Sequence, residues 1–218
     1  MKTKIAFAAL AIPAAFAGYV AFHPGVAAAQ SPLAELQPTE FRQSGSYSLD
    51  AFHSSIGFEI GHMGLAHVHG RFNKKSGKLQ VDTADPTKSS IEVTIATESV
   101  DTAVTPRDNH LRTGDFFEVA KYPEIKFKST KIRKVEKGYV MDGDLTIKGV
   151  SKNVSIPFQV FGPLTDDKGG SRLGVIAEPI TIKRLDYGVG SDQKLPNGAS
   201  AISDEVSIRL SLEATLSK

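Results

Sequence analysis

Four histidines crowd one short stretch of the chain: His53, His62, His67 and His69. His67 and His69 are two apart, so on a strand their side chains share a face. Two such imidazoles and a third ligand could hold zinc or copper. Arg71 and Asn73 continue that face, however, which marks it as solvated, and no metal site is expected. His53 belongs to the run Asp50-Ala51-Phe52-His53-Ser54 and is expected to make structural hydrogen bonds at a strand start. A second group comprises Arg107, Asp108, Asn109, His110 and Arg112. The forked donors of arginine suit a pyrophosphate or carboxylate, and a helix N-terminus adds a favourable dipole. Arg107, His110 and Arg112 are therefore candidate contacts for an anionic group. Local pairing with Asp108, Asp115 or Glu118 is the competing use. Arg184 and Asp186 form a similar pair near Gly188 and Gly190, whose spacing reads as a plain turn rather than a phosphate loop.

Catalytic chemistry finds little support, and no catalytic residue is assigned. The chain has no cysteine, which excludes thiolate nucleophiles, thiolate metal sites and disulfides. There is no G-x-S-x-G elbow to present a serine. Asp142 and Asp144 lie on an alternating pattern beside Lys148 and read as solvated charge.

The elements that must carry these residues are strands. Ile202, Val206, Ile208, Leu210, Leu212, Ala214 and Leu216 share one face of a period-two pattern, interrupted at Asp204. Ser203, Glu205, Ser207, Arg209 and Ser211 take the other face. The same alternation runs through Ile56-Phe58-Ile60, Ile91-Val93-Ile95, Ile125-Phe127, Leu145-Ile147 and Val154-Ile156-Phe158. Turn signals divide the runs: Lys75-Ser76-Gly77, Asp85-Pro86, Lys137-Gly138, Lys148-Gly149, 166–170 and Pro196-Asn197-Gly198. Clean alternation with hairpin spacing predicts an all-β antiparallel sandwich or barrel, not a parallel sheet. One segment breaks the period. Thr105-Pro106-Arg107-Asp108 predicts a short helix over 105–113, with Thr105 as cap, Asp108 as capping-box partner and Gly114 as stop.

Residues 1–29 read as a secretory signal peptide: Lys2 and Lys4, an apolar run from Ile5 to Phe22, then Ala27-Ala28-Ala29 before Gln30. Cleavage is expected after Ala29, with an uncleaved anchor as the rival, although Pro13 interrupts the run. No other segment approaches spanning length, so no permanent membrane insertion is expected. The mature chain keeps 189 residues (218 − 29), enough for one domain. Its formal charge is zero, since 26 − 2 basic residues face 24 acidic ones. That balance gives no reason to expect nucleic acid. Residues 30–45 read as a flexible lead-in, and 46–218 as the barrel domain.

An eight-stranded barrel is just wide enough to be filled by side chains or to hold one small ligand. Ala66 and Gly70 share a face with Val68 and Phe72, and Gly143 shares one with Met141 and Leu145. Small residues there favour a hollow interior. The inward set is expected to be Phe52, Ile56, Phe58, Phe72, Ile91, Val93, Phe116, Phe117, Ile125, Phe127, Leu145, Ile147, Ile156 and Phe158.

Five segments stand in order along the chain: YSLDAFHSSIGFEIGHMG, VHGRFNKKSGKL, PRDNHLRTGDFFEVAKYPEIKFKS, GDLTIKGVSKNVSIPF and ITIKRLDYGVG. Together they resemble the YceI-like, lipocalin-like polyisoprenoid-binding family. The resemblance runs from Tyr47 to Leu216 in the family order. His67, His69 and Leu185 depart from the usual residues without touching the core pattern. The resemblance implies an eight-stranded antiparallel lipocalin-like barrel, exported to the periplasm. It implies that the barrel binds a long isoprenoid or similar amphiphile, with no cofactor and no catalytic step. It also admits a homodimer. A side-chain-filled structural barrel and a histidine-based metal protein are the competing readings.

Overall fold

The computed structural model describes residues 37–217. Twelve strand segments follow one another: β1 Gly45–Leu49, β2 Ser55–His62, β3 Ala66–Phe72, β4 Lys75–Val81, β5 Ser90–Ala96, β6 Val100–Asp101, β7 Glu124–Val135, β8 Gly138–Ile147, β9 Val150–Thr165, β10 Ser171–Ala177, β11 Ile180–Lys183 and β12 Ile202–Leu216. One helix, α1 Thr105–Leu111, joins β6 to β7, and a 3-10 turn, Arg184–Tyr187, follows β11.

The segments form eight staves, because four consecutive pairs each run as one interrupted strand. β12 is paired on one side by β1 and β2 and on the other by β10 and β11. Likewise β1–β4 and β2–β3 make one seam, and β4–β5 and β3–β6 the next. β5–β7, β7–β8, β8–β9 and β9–β10 complete the circuit, every pair antiparallel. The described residues thus form an eight-stranded closed antiparallel barrel with one short helix, which is the barrel of the two architectures that alternation and turn spacing predict and has the strand number that the resemblance implies. Closure removes the exposed edges that an open sheet would leave.

Local chemistry explains the joints. Lys148 and Gly149 both have positive φ, 49° and 77°, which is the two-residue hairpin turn that matches strand twist. The interruption of the C-terminal pattern at Asp204 is a register shift between Ile202 and Val206. There the Asp204 carboxylate leaves the ladder and accepts the Leu185 N–H at 3.0 Å.

The helix starts differently from the sequence expectation. Val104 is the N-cap and Thr105 is already helical, with no side-chain cap. Asp108 reaches back instead to accept the Thr102 N–H at 2.8 Å and the Thr102 hydroxyl. The helix ends at Leu111, with Arg112 as its C-cap in the right-handed region, so Gly114 is not the stop.

One end of the barrel is solid. Tyr47, Leu79, Ile132, Tyr139, Phe158, Val160 and Val175 are all almost completely buried there. Phe41 closes the plug, with its ring 4.8 Å from Tyr139 and 6.4 Å from Phe158. Thr39 bridges to Val160 and the Phe41 N–H donates to the Tyr139 hydroxyl at 3.3 Å. Residues 39–43 of the expected flexible lead-in are thus fastened to the barrel by one buried aromatic. The remainder of that segment up to residue 36, and the expected signal peptide, lie outside the described residues.

Candidate functional site

The other end of the barrel is hollow. A cavity of about 1120 Å³ opens toward the end that carries α1, the β8–β9 turn and the loop after β11. Its walls come from the inward faces of β2, β3, β5, β7, β8, β9, β11 and β12, and Phe116 and Phe117 cover it from the segment after α1. Apolar walls of this kind gain roughly 25 cal/mol per Å² when they exclude water from an apolar guest.

Twelve of the fourteen residues expected inward reach this cavity. Ile56, Phe58 and Phe72 line it from β2 and β3, and Ile91 and Val93 from β5. Ile125 and Phe127 of β7, Leu145 and Ile147 of β8, and Ile156 of β9 also line it, with Phe116 and Phe117. Two expectations are corrected. Phe52 is 97% exposed. Its place in the alternation is cancelled by the turn between β1 and β2, where the Asp50 carboxylate accepts the Phe52 and His53 N–H groups at 3.0 and 3.2 Å. Phe158 faces inward but is spent in the solid end, stacked 5.5 Å from Tyr139, and touches no cavity.

The small residues do not act as empty space. A Cβ at Gly70 would stand 2.6 Å from Cε1 of Phe58, and one at Gly143 would stand 2.7 Å from Cζ of Phe127. Each glycine is a seat for a phenyl ring. The β11 and β12 stretch of the wall is instead aliphatic, with Ile180, Ile182, Val206 and Ile208, and Ile208 is the ladder partner of Phe58.

Polar groups gather at the mouth. Arg107 lines the cavity, with Nε on the Thr102 hydroxyl at 2.7 Å and Nη2 on the Thr102 carbonyl at 2.8 Å. His110 also lines it, 3.0 Å from the Asp115 carboxylate and edge-on to Phe116. Arg112 does not, which corrects the third head-group expectation. Its guanidinium is consumed by the carbonyls of Glu98 and Val100, each at 2.8 Å, and by the Asn109 side chain at 3.1 Å. It ties α1 to the barrel wall. Lys148, unassigned from the sequence, lines the cavity and donates to the Gly114 carbonyl at 3.0 Å.

Arg184 is buried and does not pair with Asp186, which binds Lys152 at 3.0 Å. It donates instead to the carbonyls of Ser203, Val189, Ser191 and Ile202, at 2.8 to 3.2 Å. Burial lowers its pKa, against the pull of Asp204 and Asp192. This arginine fastens the loop after β11 to the start of β12.

His53, His67 and His69 stay outside, whereas His62 of β2 lines the cavity as His110 does. His67 and His69 flank Glu59 at 3.4 and 3.6 Å on the outer wall, and Arg209 meets the same carboxylate at 2.9 Å. His53 donates its Nδ1–H to the Asp50 carboxylate, 2.8 Å away, and that carboxylate raises its pKa. Asp50, His53 and Glu213 lie close enough to suggest a cation site. Arg172 already supplies the positive charge, at 2.9 Å from Asp50 and 2.6 Å from Glu213.

Comparison with known proteins agrees with this geometry. A family model described as YceI-like domain matches residues 47–214. A UPF0312 protein of Photorhabdus laumondii is 38% identical over 151 residues, covering 68% of this chain and 78% of its own. The crystal structure of Burkholderia cenocepacia BcnA superposes with a TM-score of 0.67 at 25% identity, over 77% of this chain and 99% of that one. A polyisoprenoid-binding domain from Saccharophagus degradans, implicated in plant cell wall breakdown, has the same fold. Its TM-score is 0.59 at 20% identity, over 80% of this chain and 100% of that one.

Proposed function

The chain belongs to the YceI-like domain family, and from that premise we propose that it binds a long-chain isoprenoid or similar amphiphilic lipid inside its barrel, without catalysis. The observation that carries this reading is the apolar cavity of about 1120 Å³, closed at one end by Phe41, Tyr139 and Phe158 and open at the other. A barrel with a purely structural role has no need of such a hollow, because unfilled volume forfeits packing contacts. The Saccharophagus domain supports the fold alone, so the ligand class rests on the cavity and its lining.

The energetics suit a passive device. Each buried CH₂ contributes about 0.8 kcal/mol, so burying part of an isoprenoid tail suffices to hold it in water. Non-covalent affinity saturates near 20 kcal/mol, well below what a fully buried long chain would give on paper. No reactive group is required. Among the described residues no helix is long and apolar enough to cross a membrane. The proposal includes export to the periplasm with cleavage near Ala29, supported by the basic, apolar and small-residue order of the first 29 residues.

Native mass spectrometry of the protein purified from its own periplasm without detergent tests the reading. One stoichiometric lipid mass, recovered and identified after solvent extraction, is expected. A stable, empty protein that also refuses added isoprenoids would overturn it.

A further inference from the structure

Three tyrosines are almost completely buried in this barrel: Tyr47, Tyr139 and Tyr187. A buried hydroxyl ordinarily finds a hydrogen-bond partner. Tyr47 donates to the Gln43 carbonyl at 3.1 Å, and the Tyr139 hydroxyl accepts the Phe41 N–H at 3.3 Å. Both belong to the solid end. Tyr187 is 2% exposed and lines the cavity, yet its hydroxyl has no hydrogen-bond partner among the described residues. Nor is that hydroxyl sealed in the packing. Among the described residues, Thr97 Oγ1 is the sealed side-chain atom without a partner. The Tyr187 hydroxyl is therefore accessible, on a residue that lines the cavity.

Its position is fixed from both sides. Tyr187 ends the 3-10 turn Arg184–Tyr187, which Gly188 terminates in the left-handed region at φ 67°. Arg184 anchors the start of the turn through four carbonyls, and the Lys152–Asp186 ion pair holds its outer side. These contacts fix the turn, and the side chain itself is held by its packing, which leaves it 2% exposed. Burial raises its pKa, with Asp186 adding to the effect, so the phenol stays protonated and able to donate at neutral pH.

The rest of the mouth is also donor-rich. Arg107 uses Nε and Nη2 on Thr102 and keeps Nη1 free among the described residues. Lys148 donates one hydrogen bond to Gly114 and lies 4.0 Å from the Glu118 carboxylate, and its ammonium carries three N–H groups in all. The carboxylate on the same lining, Asp115, is engaged by His110. Arg107 and Lys148 thus bring unused donors to the mouth, and a guest that engages them brings oxygen acceptors.

Resting on the lipid-binding reading, we propose that the Tyr187 hydroxyl donates a hydrogen bond to an acceptor oxygen on the polar head of the bound lipid, and so selects oxygen-headed amphiphiles over bare hydrocarbons. A site built to hydrogen-bond a guest discriminates against one that leaves the group unpaired.

Two probes and one conservative variant test this. Delipidated wild type and Tyr187→Phe are titrated with an isoprenoid benzoquinone and, separately, with squalene, which has no oxygen. The expected result is a roughly 2- to 10-fold weaker quinone affinity in the variant, the worth of one neutral hydrogen bond, with squalene affinity unchanged. The ligand-free variant is expected to melt no lower than wild type, because it loses an unpaired polar group. Equal quinone affinity in the two proteins, or equal losses for both probes, would overturn the donor role while leaving lipid binding intact. Wild-type protein that binds neither probe would overturn the lipid reading, and this inference with it.

Discussion

Phe58 lies across the β2–β3 seam directly over Gly70, its partner in the ladder. A side chain at Gly70 would meet the ring edge, at 2.6 Å from Cε1 and 2.8 Å from Cε2. The same ring lies 5.8 Å from Phe72, which is 5.7 Å edge-on to Phe117 at the mouth. The glycine therefore sets where a chain of three aromatics runs along the cavity wall. Gly70→Val is expected to cost about 1–3 kcal/mol of stability through overpacking. Combining it with Phe58→Ala is expected to recover part of that loss. Denaturant unfolding of the two single variants and the double variant measures the coupling, and strictly additive losses would show that the ring does not depend on the glycine seat.

On the β7–β8 seam Phe127 likewise lies over a glycine, Gly143, two residues from its ladder partner Leu145, and it lines the cavity. Phe127→Asp places a carboxylate against an apolar wall with no partner, which is costly whether or not a guest is bound. The expected outcome is a barrel that fails to fold, or one that folds and no longer retains lipid. Circular dichroism with a lipid-retention assay separates the two. A variant that folds and binds like wild type would contradict the inward placement of this side chain.

The two ends of the barrel respond differently to truncation. Phe158 is 1% exposed and stacked in the solid end, so Phe158→Ala is expected to cost about 3–5 kcal/mol. Ile208 faces the cavity, where one side of the side chain meets no packing. Ile208→Ala is expected to cost distinctly less than Phe158→Ala and to change ligand affinity instead. Chemical denaturation of both variants in delipidated protein checks the contrast, and equal losses would mean that the hollow is filled in solution.

Much of this organisation is legible in the sequence, and the failures have physical causes. Period two in β5, β7, β8 and β12 sets which face is inward, and the Lys148-Gly149 dipeptide sets a hairpin. Alternation cannot say how deep an inward residue lies, so Phe158 of the plug and Ile156 of the cavity look alike. It also assumes an unbroken strand. The Asx-type turn at Asp50 breaks the first stave and turns Phe52 out to 97% exposure. The mouth was only partly legible, because Arg107, His110 and Arg112 share one short stretch. Arg112 alone meets the carbonyls of Glu98 and Val100, a pairing set by how α1 packs on the wall. Lys148 and Tyr187 come from separate loops that only barrel closure brings to the same mouth.

Outside the cavity, Arg172 joins three parts of the barrel that are distant in sequence. It meets Asp50 at 2.9 Å, Asp166 at 2.9 Å and Glu213 at 2.6 Å. The Asp50 pKa is held well below the ordinary carboxylate value, by the His53 hydrogen bond first and by Arg172 against burial. Asp166 is lowered chiefly by Arg172. A carboxylate whose folded pKa is depressed binds its proton more readily in the unfolded chain. The stability it contributes is therefore complete above the unfolded value of about 3.9 and is lost as the pH falls toward the folded one. Asp50→Asn is expected to be less stable than wild type at pH 7, with a difference that widens as His53, whose pKa Asp50 raises, takes up its proton on the way to about pH 5, and then shrinks as the pH falls through the carboxylate range. Thermal melts of the two proteins between pH 7 and pH 2 would show this convergence. A gap that kept widening below about pH 4 would mean that the Asp50 carboxyl takes up its proton in the native barrel, and that Arg172 is held by Asp166 and Glu213 alone.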